Sequence, residues 1–413
     1  MLPPGSDSAA LDVLLDAAAQ RFGTPAYVYV ADIVDRRIDM LRKALGHWFQ
    51  LSFAMKCNPN PALLRWLEPR IEGLDASSWG EVAAAQAAGW SPDRISFTGP
   101  GKRETEIRAA VEAGVGELVI ESLREARHAD RIAAELGRRQ DILVRLSPAR
   151  VPRGFGDQMA GRPSPFGIDV EDAPDVLRAL RDLRHLRIAG LHIYSGTQCL
   201  KPEAICENWA IFADVFAEIA ERCDLRPERL VFGSGLGIPY FAGDAEIDLA
   251  EVAGLARPVI DRLKQNERLA GARLVLELGR FVVGPAGFFV TRVVSVKESR
   301  GSRIAVCDGG MNDHLAAAGG FGMVMRRNYR MHRVGGGVRA ERIDLVGPLC
   351  TSIDRLGSGV ELAAVDEGDL IAVHMSGAYG PTASPLHFIS HPMPREVLVT
   401  GTAMTDVTPG WNN

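Results

Sequence analysis

A lysine that follows an apolar run is partly stripped of water, which lowers the cost of its neutral, nucleophilic form. Lys56 is such a residue, standing in the frame Phe-Ala-Met-Lys-Cys-Asn-Pro-Asn over 53–60. Closely spaced glycines let backbone N–H groups approach an anion, and residues 233–237 read Gly-Ser-Gly-Leu-Gly. Glu277 precedes Arg280 by three residues, with Gly279 between them. Each feature alone has a plain explanation: glycine runs mark turns, and strand ends are polar because they meet water. Together, an amine, an anion cradle with an arginine and a carboxylate suit the aldehyde, phosphate and ring nitrogen of pyridoxal 5′-phosphate.

These residues end short strands. Apolar or β-branched runs at 50–55, 71–75, 95–99, 117–121, 141–147, 186–193, 229–233 and 272–278 are separated by helical patterns. Strand one ends in Lys56, strand two in Asp75 and strand four in Glu121. Strand five carries Arg145. Strand six runs into His192, Tyr194, Ser195 and Thr197, strand seven into Gly233, Ser234, Gly235 and Gly237, and strand eight into Glu277 and Arg280. Eight β-then-α units indicate an α/β fold built on a (β/α)8 TIM barrel, whose chemistry sits at the C-terminal strand ends. A doubly wound open sheet gives the same alternation. Ser78 with Glu81 and Ser122 with Glu125 have the spacing of capping boxes. Residues 202–222 carry a helical stripe of Ile205, Trp209, Phe212, Phe216 and Ile219. After 285 the texture turns to short strands among Gly, Pro and Ser, a mostly β second domain. An extra strand at 26–31, followed by the helical pattern Val34, Ile38, Leu41 and Leu45, pairs with that domain on this reading. The expected division is a barrel at 30–285 and a β-sandwich or β-barrel domain from 1–29 and 286–413.

Composition excludes several classes. Of 413 residues, 46% are hydrophobic and 24% charged, which is ample for a core. The net charge of −5 argues against nucleic-acid binding. No apolar run is long enough for a membrane span, and an N-terminus carrying Asp7, Asp12 and Asp16 is unlike a signal peptide. Six scattered cysteines and nine histidines show no zinc spacing. The expectation is a cytoplasmic protein without a structural metal.

The residues also resemble a known family. FAMKCNPN (53–60), GLDASSWGE (73–81), FTGPGK (97–102), GLHIYSGTQ (190–198), FGSGLGIPY (232–240), LELGRFVVG (276–284), CDGGMND (307–313), GPLCTSID (347–354) and SGAYG (376–380) are similar, in this order, to fold type III pyridoxal-phosphate decarboxylases, the diaminopimelate and ornithine decarboxylase group. The resemblance spans about 24–402 and implies an alanine-racemase-like barrel with a C-terminal β domain. It implies that Lys56 forms the Schiff base and that Glu277 bonds the ring nitrogen. Thr197, the 233–237 loop, Gly279, Arg280 and Tyr379 would hold the phosphate. Asp75, Arg145, His192 and Tyr194 would border the cofactor, with Asp313 and Asp354 structural. Cys350, reaching in from the partner of a head-to-tail homodimer, would protonate the product, and Thr351 and Tyr379 would meet the substrate.

Departures narrow the reading. Tyr194 stands where the family places a stacking His, and Leu278 replaces the Pro of E-P-G-R. Thr351 replaces the acid that follows the cysteine, and Ala316 and Ala317 fall where diaminopimelate decarboxylases carry an Arg-containing clamp. The pattern ELGR, LCTSID, HLAAAGGFG and SHPMP is similar to a biosynthetic branch, some members of which act on an aminoacyl group tethered to an acyl-carrier protein. Arg326, Arg327, Tyr329 and Arg330 could meet such a carrier, or form a solvated loop. The implied activity is amino-acid α-decarboxylation, with free or carrier-linked substrate left open. The alternatives are a diaminopimelate decarboxylase, a racemase of the same fold, and a non-catalytic pyridoxal-phosphate-binding homologue. The presence of Lys56, Glu277, Arg280, Tyr379 and Cys350 argues against the last.

Overall fold

The computed structural model describes residues 8–320 and 327–410. They form two compact units, one from 38–237 with 246–279, the other from the N-terminal segment to Arg37 with 238–245 and the chain from Arg280 onward.

In the first unit, parallel strands Phe49–Ala54, Gly73–Ala76, Ile95–Phe97, Glu117–Ile120, Gln140–Ser147, Leu186–Ile193, Arg229–Gly233 and Arg273–Leu278 each pair with the next. The last pairs with the first, Leu278 opposite Phe53, so the sheet closes into an eight-stranded barrel. Closure excludes the open-sheet alternative. Alternate side chains point inward, and Val119, Leu143, Ala189 and Val231 form one interior layer with Val275 packed against it. The outward faces are covered by helices. Helix Pro202–Arg222 buries the predicted stripe, with Trp209, Phe212 and Phe216 ringed around Phe232 at 5.3–6.4 Å.

The two serine caps form as expected, Ser78 Oγ accepting from the Glu81 amide at 3.1 Å and Ser122 Oγ from the Glu125 amide at 3.2 Å. The glutamates behave differently. Their carboxylates reach past the cap to the amides of Ser77 (2.6 Å) and Glu121 (2.9 Å). Each therefore pins the strand-to-helix turn that precedes its helix.

The second unit is a nine-stranded mixed sheet. Its long strand, Gly287–Ser299, pairs with Ala26–Val30 and Leu370–Val373 over its first half and with Ser302–Cys307 over its second, the register shifting between Val293 and Ser295. Ala26–Val30 also runs parallel to Arg395–Thr400, so the N-terminal strand lies inside this sheet. Helix Ala31–Leu45 follows, with Val34, Ile38, Leu41 and Leu45 buried. Among the described residues, no helix is long and apolar enough to cross a membrane.

Candidate active site

Lys56 lies in a single helical turn, Met55–Cys57, directly after strand one; Met55 and Cys57 are buried and Lys56 is half-buried. Its Nζ sits 5.1 Å from the centre of the Tyr194 ring. Gly279 has to be glycine, since a Cβ there would meet Cys57 Sγ at 2.8 Å. Pairing sets Asp75 beside Ala54 and Glu277 beside Gly233, and both carboxylates are buried. His192 Nε2 lies 3.2 and 3.3 Å from the two Glu277 oxygens, while its buried Nδ1 has no hydrogen-bond partner among the described residues.

The two carboxyls are driven apart. Burial alone would raise Glu277, but the charge and hydrogen bond of His192, then Lys56 and Arg145, hold it below the usual carboxylate range. Burial and the neighbouring Glu277 charge push Asp75 well above that range, against the pull of Lys56 and Arg145. Two neighbouring buried acids are thus pushed in opposite directions.

The glycine run is held by its surroundings. A Cβ on Gly233 would come within 2.6 Å of the Tyr194 ring, and one on Gly235, at φ +71°, within 2.6 Å of Phe155. The Ser234 amide donates to the Glu277 carbonyl at 2.9 Å, and the Gly237 amide to the Cys199 carbonyl at 2.9 Å. The Leu236 amide reaches Ser234 Oγ at 3.4 Å. The run therefore does not offer its amides as a set. The Gly235 amide is the one that donates to no described group. Thr197, half-buried, bridges to Asp157 beside this loop. Arg145 is engaged by Glu121, with Nη1 3.2 Å from both oxygens, and by the Tyr194 carbonyl at 3.4 Å.

In the second unit, Arg280 Nη1 lies 3.4 Å from Tyr240 Oη, and its guanidinium 4.9 Å from the centre of the Tyr379 ring. Tyr379 holds φ +55°, unfavourable for an aromatic residue. Cys350 is exposed, whereas the other five cysteines are buried. Its loop is fixed by Asp354, which accepts the amides of Met311 (2.7 Å) and Leu349 (2.8 Å). Asp313 accepts the Gly310 amide at 3.0 Å. Thr351, half-buried, follows the cysteine. His314 is buried 3.0 Å from Ser376 Oγ, and burial lowers its pKa to about 3; Ala316, Ala317 and Ala318 beside it are also buried.

Of the basic stretch, Arg326 lies outside the described residues. Arg327 pairs with Asp244 at 2.9 Å and covers the Phe241 ring, and Arg330 donates to the Asp244 carbonyl at 2.7 Å. These two are anchored rather than freely solvated. Sequence reasoning passed over Tyr240 and Phe155. Tyr240 sits inside the quoted FGSGLGIPY segment, whereas Phe155 lies in an irregular loop with no periodic signal. Among the described residues no group of three or more acids, histidines or cysteines could hold a metal.

A family model described as pyridoxal-dependent decarboxylase, pyridoxal binding domain, matches residues 31–284. The L-glutamyl-[BtrI acyl-carrier protein] decarboxylase of Niallia circulans is 33% identical over 93% of this chain and 90% of its own. The diaminopimelate decarboxylase of Aquifex aeolicus is 31% identical over 94% and 89%. Among solved structures, the diaminopimelate decarboxylase of M. jannaschii with L-lysine superposes with a TM-score of 0.86 at 25% identity, covering 98% of this chain and 92% of that one.

Proposed function

The chain belongs to the fold type III pyridoxal-dependent decarboxylases, and on that premise we propose that it removes the α-carboxylate of an aminoacyl group carried on an acyl-carrier protein. In the barrel unit the donors fit the cofactor: a half-buried lysine beside a tyrosine ring, a buried acid held below the usual carboxylate range and an amide at Gly235 that donates to no described group; the other unit has an arginine flanked by tyrosines. When bound, pyridoxal phosphate supplies an aldehyde for the substrate amine and a ring that accepts the electron pair CO2 leaves behind.

The chain's residues do the rest. Lys56 would attach the cofactor, with Tyr194 against the ring. Glu277, oriented by His192, would keep a proton on the ring nitrogen. Gly235, Thr197, Arg280 and Tyr379 would bind the phosphate dianion. Cys350 would deliver the proton to Cα. We infer that it does so across a homodimer, because it is the exposed cysteine and its neighbours Ser352 and Ile353 are exposed as well.

The observation that carries the tethered substrate is neutrality. A free diamino acid brings a distal charge that must be matched when desolvated. Here the corresponding positions hold Thr351, Ala316 and Ala317, the two alanines buried near a neutral, buried His314. The similarity to a glutamyl-carrier decarboxylase supports the same reading. CO2 release should be compared between free amino acids and carrier-bound aminoacyl thioesters, glutamyl first. A kcat/KM at least about a hundredfold higher on the thioester is expected, equivalent to roughly 2.7 kcal/mol. Equal or faster turnover of free diaminopimelate would overturn the proposal in favour of the diaminopimelate reading.

A further inference from the structure

The barrel mouth carries a second charged set around Arg145, to whose other members, Lys102, Glu125 and Glu121, the chemistry above gives no role. Lys102, in the loop after strand three, has its side chain buried. Its Nζ reaches the carbonyls of Gly99 (2.6 Å) and Val119 (2.8 Å) and the carboxylate of Glu125 (2.7 Å). Glu125 in turn accepts the Glu121 amide at 2.9 Å. Glu121, at the end of strand four, is buried too. One oxygen accepts the Gly99 amide at 2.8 Å and the other the Gly167 amide at 2.9 Å, and both face Arg145. Phe166 lies 4.9 Å from the Arg145 guanidinium, so the arginine is bounded by a carboxylate, a ring and the Tyr194 carbonyl.

Breaking one partner of such a buried set strands a charge, whereas apolar replacement of both partners can be neutral. Stability alone is therefore a weak reason for it. What distinguishes the set is its position. Arg145 is the member whose charge acts on both Asp75 and Glu277. It also holds the backbone of Tyr194, the residue whose ring faces Lys56.

We propose that Glu121 is a positioning residue: it fixes Arg145 against the Tyr194 carbonyl and balances its charge, thereby setting the ring beside Lys56 and the ionisation of the Asp75–Glu277 pair. This rests on the assignment of Lys56 and Glu277 made above.

The test separates charge from shape. In Glu121→Gln, Arg145 loses its counter-charge, and an uncompensated cation disfavours a second cation nearby. In the cofactor-loaded protein, the pH midpoint of the visible absorption governed by the Lys56 nitrogen should fall by about one unit. Glu121→Asp keeps the charge and should return the midpoint to within about 0.3 unit of wild type, even if its Tm is lower. Arg145→Met removes the cation and its hold on Tyr194 and leaves Glu121 unbalanced; a nearby anion favours a cation, so the midpoint should rise instead, and this variant stands in if Glu121→Gln does not fold. Unchanged midpoints across the series, with only Tm moving, would make Glu121 purely structural and overturn the proposal. A borohydride-fixable band that survives Lys56→Ala would instead defeat the assignment of Lys56.

Discussion

Both units bury carboxylates, but they satisfy them in different ways. At the barrel mouth, Glu277 faces His192, Glu121 faces Arg145 and Glu125 faces Lys102. In the sheet unit, Asp354 is held by the amides of Met311 and Leu349, and Asp308 by Thr24, Thr291 and the Arg292 amide. Asp313 is held by the Gly310 amide, and among the described residues no ion pair reaches any of the three. The consequences diverge. Cations pull Glu277 below the carboxylate range, whereas burial, with the neighbouring Asp308 and Asp354 adding to it, pushes Asp313 up to about 7. Side-chain cations tune ionisation, whereas backbone amides fix loops. Lesions at the barrel mouth should therefore change chemistry, and lesions in the sheet unit should change stability.

The largest effect expected is at Lys56. Lys56→Ala should abolish the borohydride-fixable adduct and lower turnover on the order of a thousandfold or more. Cys350→Ala should also be severely impaired. If sites are shared across a dimer, co-folding the two mutants gives hybrids in about half the dimers, each with one intact site, so about a quarter of wild-type activity returns. No recovery, with subunit exchange verified, would defeat the shared site.

Next comes Asp354→Ala in the sheet unit. Two buried amides would lose their acceptor, at about 3 kcal/mol, read as a lower denaturation midpoint. The cofactor absorption spectrum should be unchanged; an altered spectrum would break the contrast between the units. Glu277→Gln should retain the cofactor and slow decarboxylation roughly ten- to a hundredfold, about 1.4–2.7 kcal/mol of barrel-mouth electrostatics, beyond any loss of stability from unpairing His192. Normal rates in that variant would remove Glu277 from the mechanism.

The same contrast explains what could be read from the chain. The strands and their terminal residues were legible because alternation is local: Lys56 follows FAM, and Glu277 follows LVL. Closure of the sheet did not follow from the count of eight, which an open doubly wound sheet also allows; the pairing of the last strand with the first decides it. The partners were not legible. Glu121 and Arg145 are 24 residues apart, and Arg145 and Tyr194 are 49 apart. The pairing of neighbouring parallel strands brings them together. The glycine run misled for a related reason. Its spacing advertised free amides, but Cys199 and Glu277, from other parts of the chain, consume two of them. Asp354 was assigned a structural role from its GPLCTSID context, and the two amides it holds come from segments 43 and 5 residues away.

The last effect is a pH slope, and its sign distinguishes the two units. Asp313 has a folded pKa of about 7, above its ordinary 3.8, because it is buried beside Asp308 and Asp354. Between those values the folded chain binds more protons than the unfolded one. Its contribution is therefore full below about pH 4 and is lost as pH rises through 7, at up to about 1.4 kcal/mol per unit. Asp313→Asn mimics the protonated acid and should remove this slope, so that its stability relative to wild type grows from pH 5 to pH 7.5. Urea midpoints at four pH values between these limits would show it, and parallel curves would refute it. Glu277 runs the other way. Its folded pKa lies below its ordinary 4.5, so it stabilises at neutral pH and its contribution is lost on acidification below that value. Glu277→Gln should therefore leave stability between pH 5 and 7.5 without a new slope. If instead it reproduced the Asp313→Asn trend, the barrel carboxylate would be as poorly partnered as the one in the sheet, and the distinction between cation-tuned and amide-held acids would fail.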